Sequence, residues 1–170
     1  MTWDGVRARV ERLARHGGTA AVFGAAPPQG HGFRLEPVLP EHDVVAIEER
    51  FGARLPPAYR SFVLEVGAFG AGPGYGLFGF RRVDGQWEFA GDRHRGAERV
   101  DLRVEFAHRT PFPLTLEPDF SQVPRAEWAG LQLRCDAEVE AATRGTLPLC
   151  HTGCGRYDLL VVTGPDRGAV

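Results

Sequence analysis

The sequence predicts an α+β protein in which N-terminal helices pack on a mainly antiparallel, twisted β-sheet. Helix-like apolar spacing is concentrated before Gly67, whereas short strand-like runs follow from Tyr75 onward. Helices that precede the strands, instead of alternating with them, are typical of α+β proteins. At 170 residues, 43% of them hydrophobic, the chain is long enough to bury one core. We therefore expect a single domain over residues 1–170, with residues 1–32 as an N-terminal extension and the core over about 36–170.

The extension is predicted to begin with a helix that runs to about His16. Either Thr2 or Asp4 is a suitable capping residue for its first turn. The run "TAAVFG", residues 19–24, is a candidate short strand. The proline- and glycine-rich residues 25–32 are predicted to form a loop.

The next helix is predicted over residues 41–51, with Gly52 ending it. Apolar residues at helical spacing form its expected buried stripe, which Val45 widens. These residues are Val44, Ile47 and Phe51. We expect Glu48 and Glu49 to face water.

A third helix is predicted to begin at Pro56 and Pro57, because proline is tolerated where the first backbone N–H groups lack helical partners. Its core-facing residues recur at positions i, i+3, i+4 and i+7. They are Tyr59, Phe62, Val63 and Val66. Gly67 is predicted to end this helix in the left-handed conformation.

The glycine-rich loop from Gly67 to Gly76 is predicted to be a turn into the sheet. It has neither the Lys-Ser/Thr pair of a phosphate-binding loop nor the strand–loop–helix order of one. Strands are expected over residues 75–80 and 85–91, with Asp84-Gly85 marking the turn between them.

The second half of the chain is predicted to end in successive strands. Residues 100–108 alternate like a strand, but long surface loops are expected between Asp92 and Val123. A short helix is expected from Asp136 to Thr143, stopped by Gly145. Residues 158–164 are almost continuously apolar, as in a strand buried on both faces, and "AV" at 169–170 resembles the start of another strand.

Composition excludes several classes of protein. The net charge is −2 and the pI is near 6.3, which argues against a surface built for nucleic acid. The first 16 residues carry dispersed arginines instead of the apolar core of an export signal. No run approaches the roughly 18 apolar residues of a membrane span. We therefore expect a cytoplasmic protein that binds neither membranes nor nucleic acid directly.

The segment "CHTGC" is the strongest candidate for a metal or nucleophile site. It places Cys150, His151 and Cys154 within five residues. Zinc needs about four ligands, and strand alternation puts Cys150 and His151 on opposite faces. The only other cysteine is Cys135, and His94 and His108 lie in segments without a clear helix or strand pattern. We expect small, buried cysteines in a β-hairpin, no metal and no cofactor, with a zinc protein or enzyme as the alternative that metal analysis would reveal.

No residues carry an obvious catalytic arrangement. The two serines, Ser61 and Ser121, do not lie in a nucleophile elbow, and no carboxylate pair stands out by its spacing. We therefore expect no enzymatic activity.

Acidic side chains cluster instead in the first helical region. Between residues 36 and 49 there are five acids and no arginine. These acids are Glu36, Glu41, Asp43, Glu48 and Glu49. Because acidic surfaces attract basic protein partners, we predict that these five residues contact a partner, although a solvated helix face is the simpler alternative. A second acidic run lies between residues 117 and 140.

Two segments together resemble the SMI1/KNR4, or SUKH, superfamily. The first is "VVAIEERFGARLPPAYRSFVLEVGAFGAGPGYGLFGF", in which Val66 replaces the usual asparagine before the glycine. The matching positions there are Ile47, Glu48, Phe51, Gly52, Leu55, Pro56, Tyr59, Phe62, Val63, Val66 and Gly67. The second is "PLCHTGCGRYDLLVVTGPDRGAV". Its matching positions are Pro148, Leu149, Gly153, Cys154, Gly155, Leu160, Val161, Val162, Gly164, Gly168 and Val170.

The resemblance implies an SMI1/KNR4-like fold and a bacterial immunity protein of a polymorphic toxin system. Such proteins bind a cognate toxin domain, often a nuclease, and block it without catalysis of their own. A regulatory or scaffold module of the same fold is the alternative. The resemblance leaves open the identity of the toxin, the oligomeric state and the role of residues 92–123.

Overall fold

The computed structural model describes residues 2–16, 21–26, 30–91, 100–107 and 120–170. It is an α+β structure, as predicted. The helices are α1 (Val6–Leu13), α2 (Glu41–Phe51), α3 (Pro57–Glu65) and α4 (Trp128–Ala142). The strands are β1 (Gly79–Val83), β2 (Gln86–Ala90), β3 (Thr146–Gly153) and β4 (Arg156–Val161). Short 3₁₀ helices cover Phe120–Gln122 and Arg125–Glu127.

The described strands form two antiparallel hairpins, β1–β2 and β3–β4. Isolated antiparallel bridges link Leu35 to Gly70, Gly70 to Leu77, and Leu77 to Cys150. Because Leu77 lies just before β1 and Cys150 lies in β3, these bridges connect the two hairpins. The mainly antiparallel sheet predicted from the sequence is confirmed.

The core lies where α2 and α3 pack on the strands. The core is formed by buried apolar side chains from both helices and both hairpins. The largest fully buried side chains in this cluster are Phe80, Phe89, Ile47, Leu55, Leu102 and Leu147. Phe80 and Phe89 are cross-strand partners in β1–β2, with ring centroids 5.2 Å apart in an edge-to-face arrangement.

The helix predicted over residues 41–51 is α2, and both of its ends are confirmed. Gly52 ends it in the left-handed conformation, with φ of 72°. Val44 and Ile47 are fully buried, but Val45 is 39% exposed and does not widen the stripe. The prediction that Glu49 faces water is confirmed. The prediction for Glu48 is wrong, because its side chain is only 10% exposed. Glu48 lies four residues after Val44 and therefore beside the buried stripe.

The third predicted helix is α3, but its final glycine has another role than predicted. Tyr59, Val63 and Val66 are buried, as expected. Gly67 does not adopt a positive φ. A Cβ atom at Gly67 would lie 2.8 Å from the carbonyl oxygen of Glu36. Glycine is needed here because two backbone segments pass too closely for a side chain.

Predictions for the N-terminal extension were less accurate. The N-cap of α1 is Gly5, without a side-chain capping bond, so Thr2 and Asp4 do not cap this helix. The helix ends at Leu13, before His16. Residues 21–24 form turns instead of a strand, whereas 19–20 lie outside the described residues.

Three further boundaries differ in the second half. The first strand begins at Gly79, later than predicted, and pairs with β2 as far as Val83. The predicted turn at Asp84-Gly85 is confirmed. Residues 100–107 form no strand. The carbonyl of Asp101 accepts a hydrogen bond from the N–H of Gly145, and the carbonyl of Val104 accepts one from Thr163 Oγ1. α4 begins at Trp128, so Asp136 lies inside it and accepts a hydrogen bond from Gln132 instead of capping it.

The C-terminal hairpin is confirmed, with two local differences. Residues 160–162 are buried, but Asp158 is exposed. Residues 169–170 form no strand, although the N–H of Val161 donates to the carbonyl of Ala169 at 2.9 Å.

Candidate partner-binding surface

A groove of about 870 Å³ lies beside α2 and the connection from α2 to α3. Three of the five predicted acids line it: Glu41, Glu48 and Glu49. Three arginines line it as well: Arg54, Arg60 and Arg167. Its apolar lining includes Val45, Ala53, Leu55 and Pro57. The groove is therefore a mixed surface with charges of both signs. We name it the α2 groove.

Arg60 on α3 joins two carboxylates of α2 within this groove. Its Nη1 donates to Glu41 Oε2 at 3.1 Å, and its Nη2 donates to Glu41 Oε1. Its Nε donates to Glu48 Oε1 at 3.2 Å. The hydrogen bonds from Arg60 lower the pKa of Glu41, and those to Glu41 raise the pKa of Arg60. One guanidinium thus fixes two carboxylates, and the three side chains together carry one net negative charge.

Glu48 is mainly an internal acceptor. Its side chain is only 10% exposed. Besides the bond from Arg60, Glu48 Oε1 accepts a hydrogen bond from the backbone N–H of Leu55 at 2.9 Å. Glu48 therefore holds the connection between α2 and α3 in place and offers little surface to a partner.

The remaining charges of the α2 groove are not neutralised by the residues that the structure describes. Glu49 and Arg54 are exposed and form no ion pair within those residues. Arg167 Nη2 donates to the carbonyl oxygens of Leu55 at 2.7 Å and Arg54 at 3.2 Å. Carbonyl oxygens orient this guanidinium but leave its formal charge in place.

The other two predicted acids lie outside the α2 groove. Asp43 binds Arg82 of β1, with Nη2 2.7 Å from Oδ1. Arg82 also covers the ring of Trp87, 4.8 Å from its centroid. Glu36 is exposed, and its carboxylate has no partner within the described part of the chain, although its backbone oxygen accepts a bond from Arg7. The five acids do not form one surface.

A row of aromatic rings is a feature that sequence reasoning missed. Phe23 lies 5.2 Å from Tyr75, and Tyr75 lies 5.3 Å from His151. His151 stacks on Tyr157 at 4.7 Å, and Tyr157 lies 6.4 Å from Phe78. The rings come from the extension, the glycine loop, the residue just before β1 and the β3–β4 hairpin. Because these segments are far apart in sequence, no local pattern indicates the row.

The "CHTGC" residues take up separate structural positions. Cys150 is buried and donates from Sγ to Asp158 Oδ2 at 3.2 Å, and burial raises the pKa of its thiol to about 12. His151 Nε2 accepts a hydrogen bond from the N–H of Gly155 at 3.2 Å. Cys154 is exposed in the hairpin turn, with φ of 50°, so the prediction of buried cysteines holds for Cys150 and is wrong for Cys154.

Within the described ranges the structure has neither a metal-binding cluster nor a membrane-spanning helix. Among the described residues, no group of three or more His, Cys, Asp or Glu side chains could hold a metal ion. His94 and His108 lie outside those ranges. No helix in the part of the chain that the structure describes has the length and apolar character needed to span a membrane.

A comparison with models of known protein families gives a match over most of the chain. The model of the SMI1 / KNR4 family (SUKH-1) matches residues 39–170. The matched region includes the α2 groove and both hairpins, whereas α1 and Phe23 precede it. No curated protein and no solved structure matches the chain.

Proposed function

Because the chain belongs to the SMI1/KNR4 family (SUKH-1), we propose that it is an immunity protein that binds and neutralises a cognate toxin domain. The observation that carries this proposal is the family match over most of the chain, residues 39–170. The resemblance of its two sequence blocks to bacterial immunity proteins points the same way. The proposed partner is a toxin protein, and the proposed site of action is the cytoplasm.

The α2 groove supports a role in protein binding. Glu41 is oriented by two hydrogen bonds from Arg60, yet its side chain is 63% exposed. Glu49, eight residues later on the same helix, is exposed and has no ion pair among the described residues. Carboxylates of this kind bind arginine and lysine side chains. If the toxin is a nuclease, they would occupy the places of substrate phosphates, since both present anionic oxygens to the same cations.

The same geometry supports binding without catalysis. The buried carboxylate, Glu48, accepts bonds from Arg60 and from a backbone N–H, and so serves the fold. The buried thiol, Cys150, is held in its protonated form by its raised pKa. A protonated thiol is a poor nucleophile.

The proposal is tested by titrating the protein with the toxin domain encoded beside its gene. Calorimetry should show one-to-one binding, and a parallel assay should show that the toxin loses its activity in the complex. Absence of binding would overturn the proposal. Binding without loss of toxin activity would instead favour a regulatory or scaffold module of the same fold.

Contact through the α2 groove is tested by the charge reversal Glu49→Arg. We expect association with a basic toxin to be slower and less dependent on salt, because steering by opposite charges is lost. Glu65→Arg is the matched control, since Glu65 is also an exposed helix-end glutamate but lies outside the groove. Equal association rates for the two variants would show that the toxin binds elsewhere.

A further inference from the structure

We infer that the α2 groove binds a partner surface that carries both a cation and a carboxylate, not a uniformly basic surface. This inference rests on the proposed function and specifies the partner's chemistry. We call Glu41 and Glu49, which line the groove from α2, its acidic side. The basic side is Arg54, in the connection after α2, and Arg167, near the C-terminus.

The charges of the two sides do not cancel by direct contact. On the acidic side, Arg60 neutralises one of the two carboxylates it binds, and Glu49 adds a further negative charge. On the basic side, neither Arg54 nor Arg167 has a carboxylate partner among the residues that the structure describes. Two negative and two positive charges are therefore left for a partner to complement.

Much of this arrangement is fixed before any partner binds. Arg167 is held by two carbonyl oxygens, one of them from Leu55, a fully buried residue. Glu41 is held by Arg60, which Glu48 holds in turn. Groups that are already oriented lose less conformational entropy on binding. Val45, 39% exposed between the charges, offers the apolar contact area found at the centre of protein interfaces.

A uniformly basic partner fits this groove poorly. Its cations would bind Glu41 and Glu49 but would also approach Arg54 and Arg167. Juxtaposed like charges are strongly unfavourable at interfaces and serve to reject wrong partners. A partner with a carboxylate opposite the two arginines satisfies both sides of the groove.

The deciding experiment exchanges the two unpaired charges in one variant, Glu49→Arg/Arg54→Glu, and measures its Kd for the toxin domain by calorimetry. The exchange keeps the net charge at −2 but removes the charge separation of the groove, because the acidic side loses its two net negative charges and the basic side its two net positive charges. We expect the Kd to rise about tenfold or more, because each partner charge would lose one opposite charge and meet one like charge in its place. The matched control is Glu65→Arg/Arg9→Glu, an exchange of exposed residues outside the groove, which should leave the Kd unchanged. An unchanged Kd for the groove variant would overturn the inference.

The single variant Arg54→Glu separates this inference from the proposed function. It makes the net charge −4, so a uniformly basic partner would bind it more tightly, whereas a partner with both charges would bind it more weakly. Tighter binding overturns the inference and leaves the immunity role intact. Failure of the unsubstituted protein to bind overturns the proposed function and the basis of the inference with it. Matching thermal unfolding curves would establish that each variant is folded.

Discussion

The carboxylate of Glu48 accepts a hydrogen bond of 2.9 Å from the backbone N–H of Leu55, which ties the last turn of α2 to the connection leading into α3. Leu55 is 2% exposed, so its N–H has little access to water as an alternative acceptor. The same carboxylate oxygen also binds Arg60. One buried glutamate therefore fixes both the backbone and the arginine that shape the α2 groove.

Replacing Glu48 should destabilise the fold. We expect Glu48→Ala to lower the free energy of unfolding by about 1–3 kcal/mol, because a buried N–H loses its acceptor. Urea unfolding measures the change. The matched variant Glu49→Ala removes an exposed carboxylate and should change stability by no more than about 0.5 kcal/mol. Equal stabilities for the two variants would show that the Leu55 bond contributes nothing.

Replacing Tyr59 with phenylalanine should stabilise the protein. The Tyr59 hydroxyl is buried and has no hydrogen-bond partner within the described residues. Removing an unsatisfied buried hydroxyl while keeping the ring should raise the free energy of unfolding by about 1 kcal/mol. Urea unfolding at pH 7 tests this expectation, and a clear loss of stability would refute it.

Tyr59 should also make stability fall at alkaline pH. Burial raises the pKa of its hydroxyl above the ordinary value of 10.0. Below pH 10, the pKa of tyrosine in the unfolded chain, Tyr59 is protonated in both states and its contribution to the free energy of unfolding is fully present. As the pH rises from there toward the pKa of the folded state, the unfolded chain releases this proton first, and the contribution is lost. The decline in stability above pH 10 should therefore be smaller in Tyr59→Phe. Identical pH profiles would contradict the assignment.

Arg7 should anchor α1 to the rest of the protein. Its guanidinium donates to the carbonyl oxygens of Val66 at 2.6 Å, Glu36 at 3.0 Å and Leu35 at 3.2 Å. α1 has only eight residues, none of them buried, and so short a helix is marginal by itself. In Arg7→Ala we expect amide hydrogen exchange in α1 to accelerate by about tenfold or more, since bonds to charged groups are worth about 1.5–3 kcal/mol.

The control for Arg7 is Arg9→Ala, on the exposed side of the same helix. It should leave exchange in α1 nearly unchanged. Exchange in β3–β4 should be the same in both variants. Equal exchange rates in the two variants would mean that the Arg7 contacts do not hold α1 in place.

The two cysteines of the C-terminal hairpin should differ in reactivity. Cys154 is exposed, whereas Cys150 is buried with its thiol pKa raised to about 12. At pH 8, iodoacetamide should modify Cys154 in the folded protein and Cys150 only after unfolding, because the thiolate is the reactive form. Mass spectrometry of peptides labelled with and without urea gives the readout. Rapid labelling of Cys150 in the folded state would contradict its burial.

The elements best predicted from the sequence are those specified by local chemistry. α2 lies over the predicted residues, since apolar spacing and a left-handed Gly52 define its length. α3 begins at Pro57, as the double proline indicates. Asp84 and Gly85 have positive φ in the turn between β1 and β2. The predicted α4 is too short because Asp136, a residue type suited to capping, lies inside the helix and not at its start.

The candidate site was predicted only in part. Three of the five predicted acids line one groove, but their relation to a partner stays a prediction. Helical spacing could have placed Glu48 beside Val44 and Ile47 on the inner face. Nothing local to Arg60 indicates that it binds carboxylates 12 and 19 residues away.

The sequence by itself determined the α+β class, the family and the main helices and hairpins, because these depend on periodicity and turn chemistry within a few residues. Only the tertiary structure decided which charges of the α2 groove have no ion pair among the described residues. Arg60 neutralises part of the negative charge on α2. Arg167 binds carbonyl oxygens that are more than 110 residues away in sequence, and Gly67 lets two backbone segments pass closely. Such pairings depend on how distant elements pack, and packing is set by the whole core and not by any one segment.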